Sequence, residues 1–298
     1  SELRFCGERW LYKQLSLLKP KLIVTLGGIA LKFFDSKATV TKLAGQLLQV
    51  EDEYKIFVTY HPAATLYDGD PSDYRDRIDN SKWDTLVKNF RQIPEMIDAE
   101  PTEIKHYDYL YVNNKDLFLF DVLPKLKGKE IYFDLETTEL NPYTEKITQL
   151  QLAVSSDLIY VIDGKLLSDI EDELREVFEN SPVIGQGFEF DAKFLCVKHN
   201  IFPKKWAFDT CLAEYIISGM KNNDLTYLTS KYAPESLGYD DKVKDVGGAH
   251  KVRNKKDLYQ YGADDVGVLF PIRRKQYKTL YKMGKLWLYE NITMPCNK

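Results

Sequence analysis

Glu130-Ile-Tyr-Phe-Asp134-Leu-Glu136-Thr-Thr-Glu-Leu140 decides how the rest of the chain is read. Ile131, Tyr132 and Phe133 make a strand of the buried type. Alternate side chains of a strand leave the same face, so Asp134 and Glu136 point together. Two carboxylates carried to one spot by a buried strand need a counter-charge, because an unpaired buried charge is costly. A divalent metal supplies one. Such a triplet says little alone in a chain with 45 acids, and its apolar flanks give it weight. Thr148 to Val154 and Leu158 to Ile162 follow as two more strand-like runs joined by short polar or Gly/Pro turns, so the three read as an antiparallel meander.

Further along come an acidic helix, Leu167 to Glu179, and a short strand, Val183 to Gly185, with helices predicted from about Phe188, Thr210 and Lys256. Asp191 falls just after the Gly185-Gln186-Gly187 turn, where a first-turn acid also serves the helix dipole. Tyr261 and Asp265 are four apart and share a helix face, whereas the rival Asp264 points about 100° away around the helix.

Together these pieces resemble the proofreading 3′–5′ exonuclease domain of family A DNA polymerases. The first motif is Phe133-Asp134-Leu-Glu136-Thr-Thr-Glu-Leu140, the second Gly185-Gln186-Gly187-Phe-Glu-Phe-Asp191, and the third Tyr261-Gly-Ala-Asp-Asp265. Phe208-Asp209-Thr210 with the following Leu212-Ala-Glu-Tyr-Ile-Ile matches a further stretch in the same order. The resemblance implies an α/β, ribonuclease H-like fold, a mixed sheet with flanking helices, and two-metal phosphodiester hydrolysis. Asp134, Glu136, Asp191 and Asp265 would hold two divalent cations, and Mg²⁺ or Mn²⁺ suits an all-oxygen shell. Asp134 would bridge both ions, Glu136 and Asp265 would complete the first site, and Asp191 would support the second. Tyr261 would orient the attacking water. Leu140 would pack against the terminal base of a single-stranded 3′ end. The family commonly has Asn where this chain has Gly187, so a polar contact to DNA is missing and Gln186 is the candidate to replace it. Phe188, Phe190 and Tyr132 are candidate stacking surfaces, or plain core aromatics. An exoribonuclease of the same fold and an inactive DNA-binding module of a replication complex remain alternatives, since four acids do not distinguish the sugar.

Upstream, Leu11, Leu15, Leu17 and Leu18 form a helical stripe. Strand-like runs at 22–26 and 55–60 enclose a Gly27-Gly28 turn and a helix from Ile29 to Phe34, an α/β rhythm. An Asp-rich loop from Asp68 to Asp79 precedes an amphipathic segment, Trp83 to Ile93. Residues 1 to about 93 resemble the carboxy-terminal half of a family 4 uracil-DNA glycosylase, on Cys6, Leu18-Lys-Pro-Lys-Leu-Ile-Val-Thr-Leu-Gly-Gly-Ile-Ala30 and Val58-Thr-Tyr-His61-Pro-Ala-Ala-Thr-Leu66. The resemblance implies that His61 approaches DNA and that Cys6 matches one of four iron–sulfur ligands. A lone cysteine holds no cluster, so a structural or DNA-positioning role is expected in place of glycosylase activity.

At about 150 residues per domain, a chain of 298 residues suggests two domains. Pro94 to Pro101 reads as the linker, which places a glycosylase-like portion at 1–101 and the exonuclease domain at 102–298. Leu288 to Pro295 resembles the junction to a polymerase thumb, so a polymerase domain or subunit is the expected partner. The composition, 44% hydrophobic and 29% charged, suits packed interiors. Four scattered cysteines without a C-x-x-C pair suggest neither a disulfide framework nor a zinc site. No apolar run approaches the roughly 18 to 20 residues of a membrane span, and a cytoplasmic setting in bacterial or viral replication is expected. A formal charge of -4 argues against non-specific coating of nucleic acid. Yet residues 242–256 carry six bases against Asp245, and residues 272–298 carry seven against Glu290, so basic segments flank the third motif.

Overall fold

The computed structural model describes residues 5, 7–36, 38–50, 54–65, 80–99, 104–219 and 223–296. The chain divides into two compact units, Ser1–Lys105 and His106–Lys298. Cys6 and the Asp-rich 68–79 loop lie outside the described residues.

In the amino-terminal unit, helix α1 (Tyr12–Leu18) leads to strand β1 (Ile23–Leu26), helix α2 (Gly27–Phe34), strands β2 (Leu47–Val50) and β3 (Tyr54–Thr59), and helix α3 (Asn80–Asp98). The sheet order is β1-β3-β2, with β1 parallel and β2 antiparallel to β3. Ile56, Phe57 and Val58 of the central strand are fully buried, which is why β3 reads as a continuous apolar run instead of an alternating one. One expectation fails here: the linker predicted at Pro94–Pro101 begins inside α3, which continues past Pro94 to Asp98. Proline removes one helical hydrogen bond, but Leu86 and Asn89, buried one to two turns earlier, already anchor the helix.

The carboxyl-terminal unit is built on strands β4 (Tyr109–Val112), β5 (Ile131–Thr137), β6 (Ile147–Ala153) and β7 (Ile159–Asp163). Helix α4 (Glu171–Asn180), strand β8 (Pro182–Gly185), helix α5 (Glu189–His199), strand β9 (Lys205–Asp209) and helices α6 (Thr210–Ser218), α7 (Leu225–Tyr232), α8 (Asp241–Val246) and α9 (Lys255–Lys282) follow. The sheet order is β4-β7-β6-β5-β8-β9. β5, β6 and β7 form the antiparallel meander, β8 and β9 extend it in parallel beyond β5, and β4 runs parallel to β7 at the other edge.

Both faces of β5 are covered. Phe133 packs on one face against Phe178 and Phe188, with ring centroids 5.3 and 5.5 Å away. The opposite face, which carries Tyr132, Asp134 and Glu136, lies under α9, where Tyr132 stacks on Phe270 at 3.7 Å. Close approach of α9 depends on Gly262. A Cβ there would stand 2.1 Å from Nε2 of the buried Gln151 on β6, so only glycine lets the helix lie this near the sheet.

Candidate functional site

Each acidic side chain reaches the site by a simple local rule. Asp134 and Glu136 are presented by strand alternation on β5, opposite Gln151 and Gln149 of β6, just before an irregularity between Glu136 and Thr137. Asp191 sits in the first turn of α5, behind the Gly187 turn. That turn is held by Asp209, whose one carboxylate oxygen accepts from Phe188 N at 3.2 Å while the other caps α6 through Cys211 N and Leu212 N. Asp265 comes from the face of α9 turned to the sheet. Its neighbour Asp264 faces elsewhere, accepting from Tyr107 N at 2.8 Å and pairing with His106 Nδ1 at 2.6 Å, as the 100° helical step requires.

Asp134, Glu136 and Asp265 each offer an oxygen, and these atoms lie within 4.8 Å of one another. Asp191 falls outside that triangle, yet its charge is close enough to act on Asp134 and Glu136. Burial is the leading cause that pushes all four carboxyls above the ordinary range. For Asp134 the charge of Asp191 adds to it, for Glu136 that of Asp134, and for Asp265 that of Asp134. Asp191 is pushed up to about 8 by burial and then by Asp209. Like charges gathered at low dielectric cannot all ionise without compensation. The donors are all carboxylate oxygens, which suits hard divalent cations in place of zinc or copper.

The four acids open on one cleft of about 580 Å³, also lined by Leu140, Gln186, Gly187, Phe190 and Tyr261. Leu140 is 77% exposed at its rim. The Gln186 amide is tied to protein, donating to Asn223 O at 2.6 Å and accepting from the Thr210 hydroxyl. Phe188 and Tyr132 are buried in the packing of the sheet and are core aromatics, while Phe190 is half-buried on the cleft wall. The structure puts Gly187 at φ +57° with nothing within 4 Å of a Cβ there. His61 belongs to the amino-terminal unit, where its Nδ1 accepts from Ala63 N at 3.1 Å beside an apolar cavity of about 700 Å³.

Some cleft residues lie outside the sequence motifs. Tyr239, Asp240, Thr226, Lys244 and His250 all line the cavity. Lys244 lies in the basic 242–256 stretch, but it is already paired with Asp240 at 2.5 Å, and Lys242 is paired with Asp257 at 3.1 Å. The Tyr239 hydroxyl donates to Asp265, a contact made across 26 residues that no spacing rule anticipates. No described helix is long and apolar enough to cross a membrane.

A sequence profile described as 3′-5′ exonuclease matches residues 114–280, and one for the uracil DNA glycosylase superfamily matches residues 1–80. Borreliella burgdorferi DNA polymerase I is 26% identical over 231 residues, covering 74% of this chain and 25% of the relative. The DNA polymerase of Bacillus phage SP01 is 22% identical over 322 residues, covering 96% of this chain and 34% of the relative. The chain thus spans about a quarter to a third of the length of these two curated relatives. Among solved structures, Escherichia coli RNase D superposes with a TM-score of 0.50 at 17% identity, covering 61% of this chain and 47% of that one. The fold of the carboxyl-terminal unit is the mixed, ribonuclease H-like exonuclease fold that its motifs imply.

Proposed function

The chain belongs to the 3′–5′ exonuclease family of the polymerase A type, and from that membership we propose that it removes nucleotides from DNA 3′ ends by metal-dependent hydrolysis, editing for a family A-type DNA polymerase. One observation carries the reading: three carboxylates with oxygens within 4.8 Å of one another, and Asp191 beside them, form the floor of one cleft.

On this reading Asp134, Glu136 and Asp265 would hold one divalent cation, and Asp191 would help to hold a second. When bound, two such ions supply charge neutralisation at phosphorus, an activated water and support for the leaving 3′ oxygen. The protein supplies position. The Tyr261 phenol, whose pKa is raised chiefly by the charge of Asp265 and then by burial, keeps its proton at neutral pH and orients the attacking water. Leu140 packs against the terminal base, Phe190 offers a ring to the strand, and Gln186 shapes the wall through its bond to Asn223. We read residues 1–101 as a glycosylase-like domain that positions DNA, with His61 at its His-Pro turn, and 102–298 as the exonuclease domain.

The test is digestion of a labelled, 3′-mismatched primer with Mg²⁺ and with EDTA, by the unaltered chain and by the double variant Asp134→Ala, Glu136→Ala. Loss of at least several orders of magnitude is expected for the variant, because both cations lose ligands together. Stepwise release that survives the double substitution or EDTA removes the proposed site. A matched RNA strand digested faster than DNA assigns the activity to an exoribonuclease instead.

A further inference from the structure

Asp265 is gripped from a direction the exonuclease motifs do not include. Tyr239 lies on the turn between α7 and α8, its ring 7% exposed and stacked on Tyr261 with centroids 6.1 Å apart and planes inclined by 26°. Its hydroxyl donates to Oδ1 of Asp265.

The turn that carries Tyr239 is braced by contacts that do not involve Asp134, Glu136, Asp191 or Asp265. Tyr239 N donates to Ser236 O at 3.2 Å. Asp240 takes a hydrogen bond from the Thr226 hydroxyl at 2.8 Å and pairs with Lys244 at 2.5 Å. The Asp240 carbonyl also accepts from Val243 N and Lys244 N, at 3.1 and 3.0 Å. The phenol's place is therefore set by the α7–α8 connection, and Asp265 is held to it. An ionised carboxylate has about four acceptor directions. Fixing one at Oδ1 limits how the carboxyl group can turn, and an Asp265 oxygen lies within 4.8 Å of oxygens of Asp134 and Glu136.

We propose that Tyr239 is a positioning residue that holds Asp265, which Tyr261 also contacts, in the orientation required to bind a divalent cation. This rests on the metal-dependent reading above. Partners that orient metal ligands typically contribute 10- to 100-fold in metal affinity.

Tyr239→Phe removes only the hydroxyl. Mn²⁺ titrated calorimetrically into the full chain without DNA is expected to bind about 10-fold or more weakly to the variant. The Mg²⁺ concentration for half-maximal nuclease activity should rise by a similar factor, with kcat recovered at saturating Mg²⁺. Metal-free melting curves of the two proteins report whether the fold is kept. As a second arm, Tyr239→Phe placed on Asp265→Asn should add nothing to the affinity already lost, because the phenol acts through that carboxylate. Unchanged Mn²⁺ affinity in Tyr239→Phe, additive losses in the double variant, or a kcat deficit that saturating Mg²⁺ does not relieve each overturns the assignment. If the unaltered chain binds no Mn²⁺, the metal-dependent reading itself fails, which is a different result from normal binding that is insensitive to Tyr239.

Discussion

Removing divalent cations should invert the usual effect of mild acid on this protein. Asp191 ordinarily titrates at 3.8, but in the folded, metal-free chain burial and the charge of Asp209 push it up to about 8. Between those values the folded state keeps a proton that the unfolded state has released. Stability is therefore full below the unfolded value and is lost as pH climbs toward the folded one. A shift of roughly four units at 1.36 kcal/mol each bounds the loss from this one group at about 5 kcal/mol. In a unit of this size that corresponds to about 10 to 20 °C in Tm. Asp134, Glu136 and Asp265 are displaced in the same direction, by burial and by the charge of neighbouring acids, so the group as a whole deepens the slope. Melting in EDTA at pH 5, 6, 7 and 8 should show Tm falling steadily, more shallowly in Asp191→Asn. Millimolar Mg²⁺ should lift the pH 8 curve most, since cations then take the place of protons. A metal-free Tm that is flat or rising from pH 5 to 8, or one that Mg²⁺ leaves unmoved, refutes the picture of a buried, uncompensated carboxylate cluster.

Gly262→Ala sets two opposing effects against each other. Alanine favours a helix interior by about 1 kcal/mol, but its Cβ would meet Gln151 at 2.1 Å, and overpacking typically costs about 1 to 3 kcal/mol. A lower Tm is expected, with a drop of roughly 100-fold in nuclease activity as α9 carries Tyr261 and Asp265 away from β5; a more stable and fully active variant would contradict the close approach. Gly187→Asn places an amide where φ is +57° and the space is open, a conformation asparagine tolerates. KM for single-stranded DNA ends should fall while Tm barely changes, and a raised KM would show that the turn does not face the strand.

The acidic centre was legible because its residues obey local periodicities. Strand alternation pairs Asp134 with Glu136, and the helical repeat pairs Tyr261 with Asp265 while turning Asp264 toward His106 and Tyr107. The meander was legible for the same reason. β4 and β9 were not: Tyr109–Val112 is a four-residue edge strand, and Lys205–Asp209 is exposed at its first residue, so neither presents a long apolar run. Tyr239 was hidden because its role lies in a contact between a turn and a distant helix. The linker was started too early, at Pro94, because proline is read as a breaker, and the tertiary anchoring that carries α3 through it is invisible in a linear string. Gln186 shows the limit of a motif. Its position in the cleft follows from the pattern, but the engagement of its amide with Asn223 and Thr210 follows only from the fold.

Charge is where sequence and structure together say more than either. The basic 242–256 segment has a local excess of five, yet Lys242 and Lys244 are neutralised by Asp257 and Asp240. Among the described residues that line the cleft, Asp134, Glu136, Glu139, Asp191, Asp240 and Asp265 face Lys244 and His250. A polyanion approaching such a wall is repelled unless the acids are compensated. Two divalent cations would bring four positive charges to that wall, the same magnitude as the formal excess of the entire chain, which is -4. On the proposed reading the cations would therefore do more than take part in hydrolysis: they would remove most of the negative charge that opposes a phosphodiester. Strand affinity should then depend on divalent cations even where cleavage is blocked, for instance with a non-hydrolysable 3′ linkage. A strand that binds equally well in EDTA would place its main contacts outside this cleft.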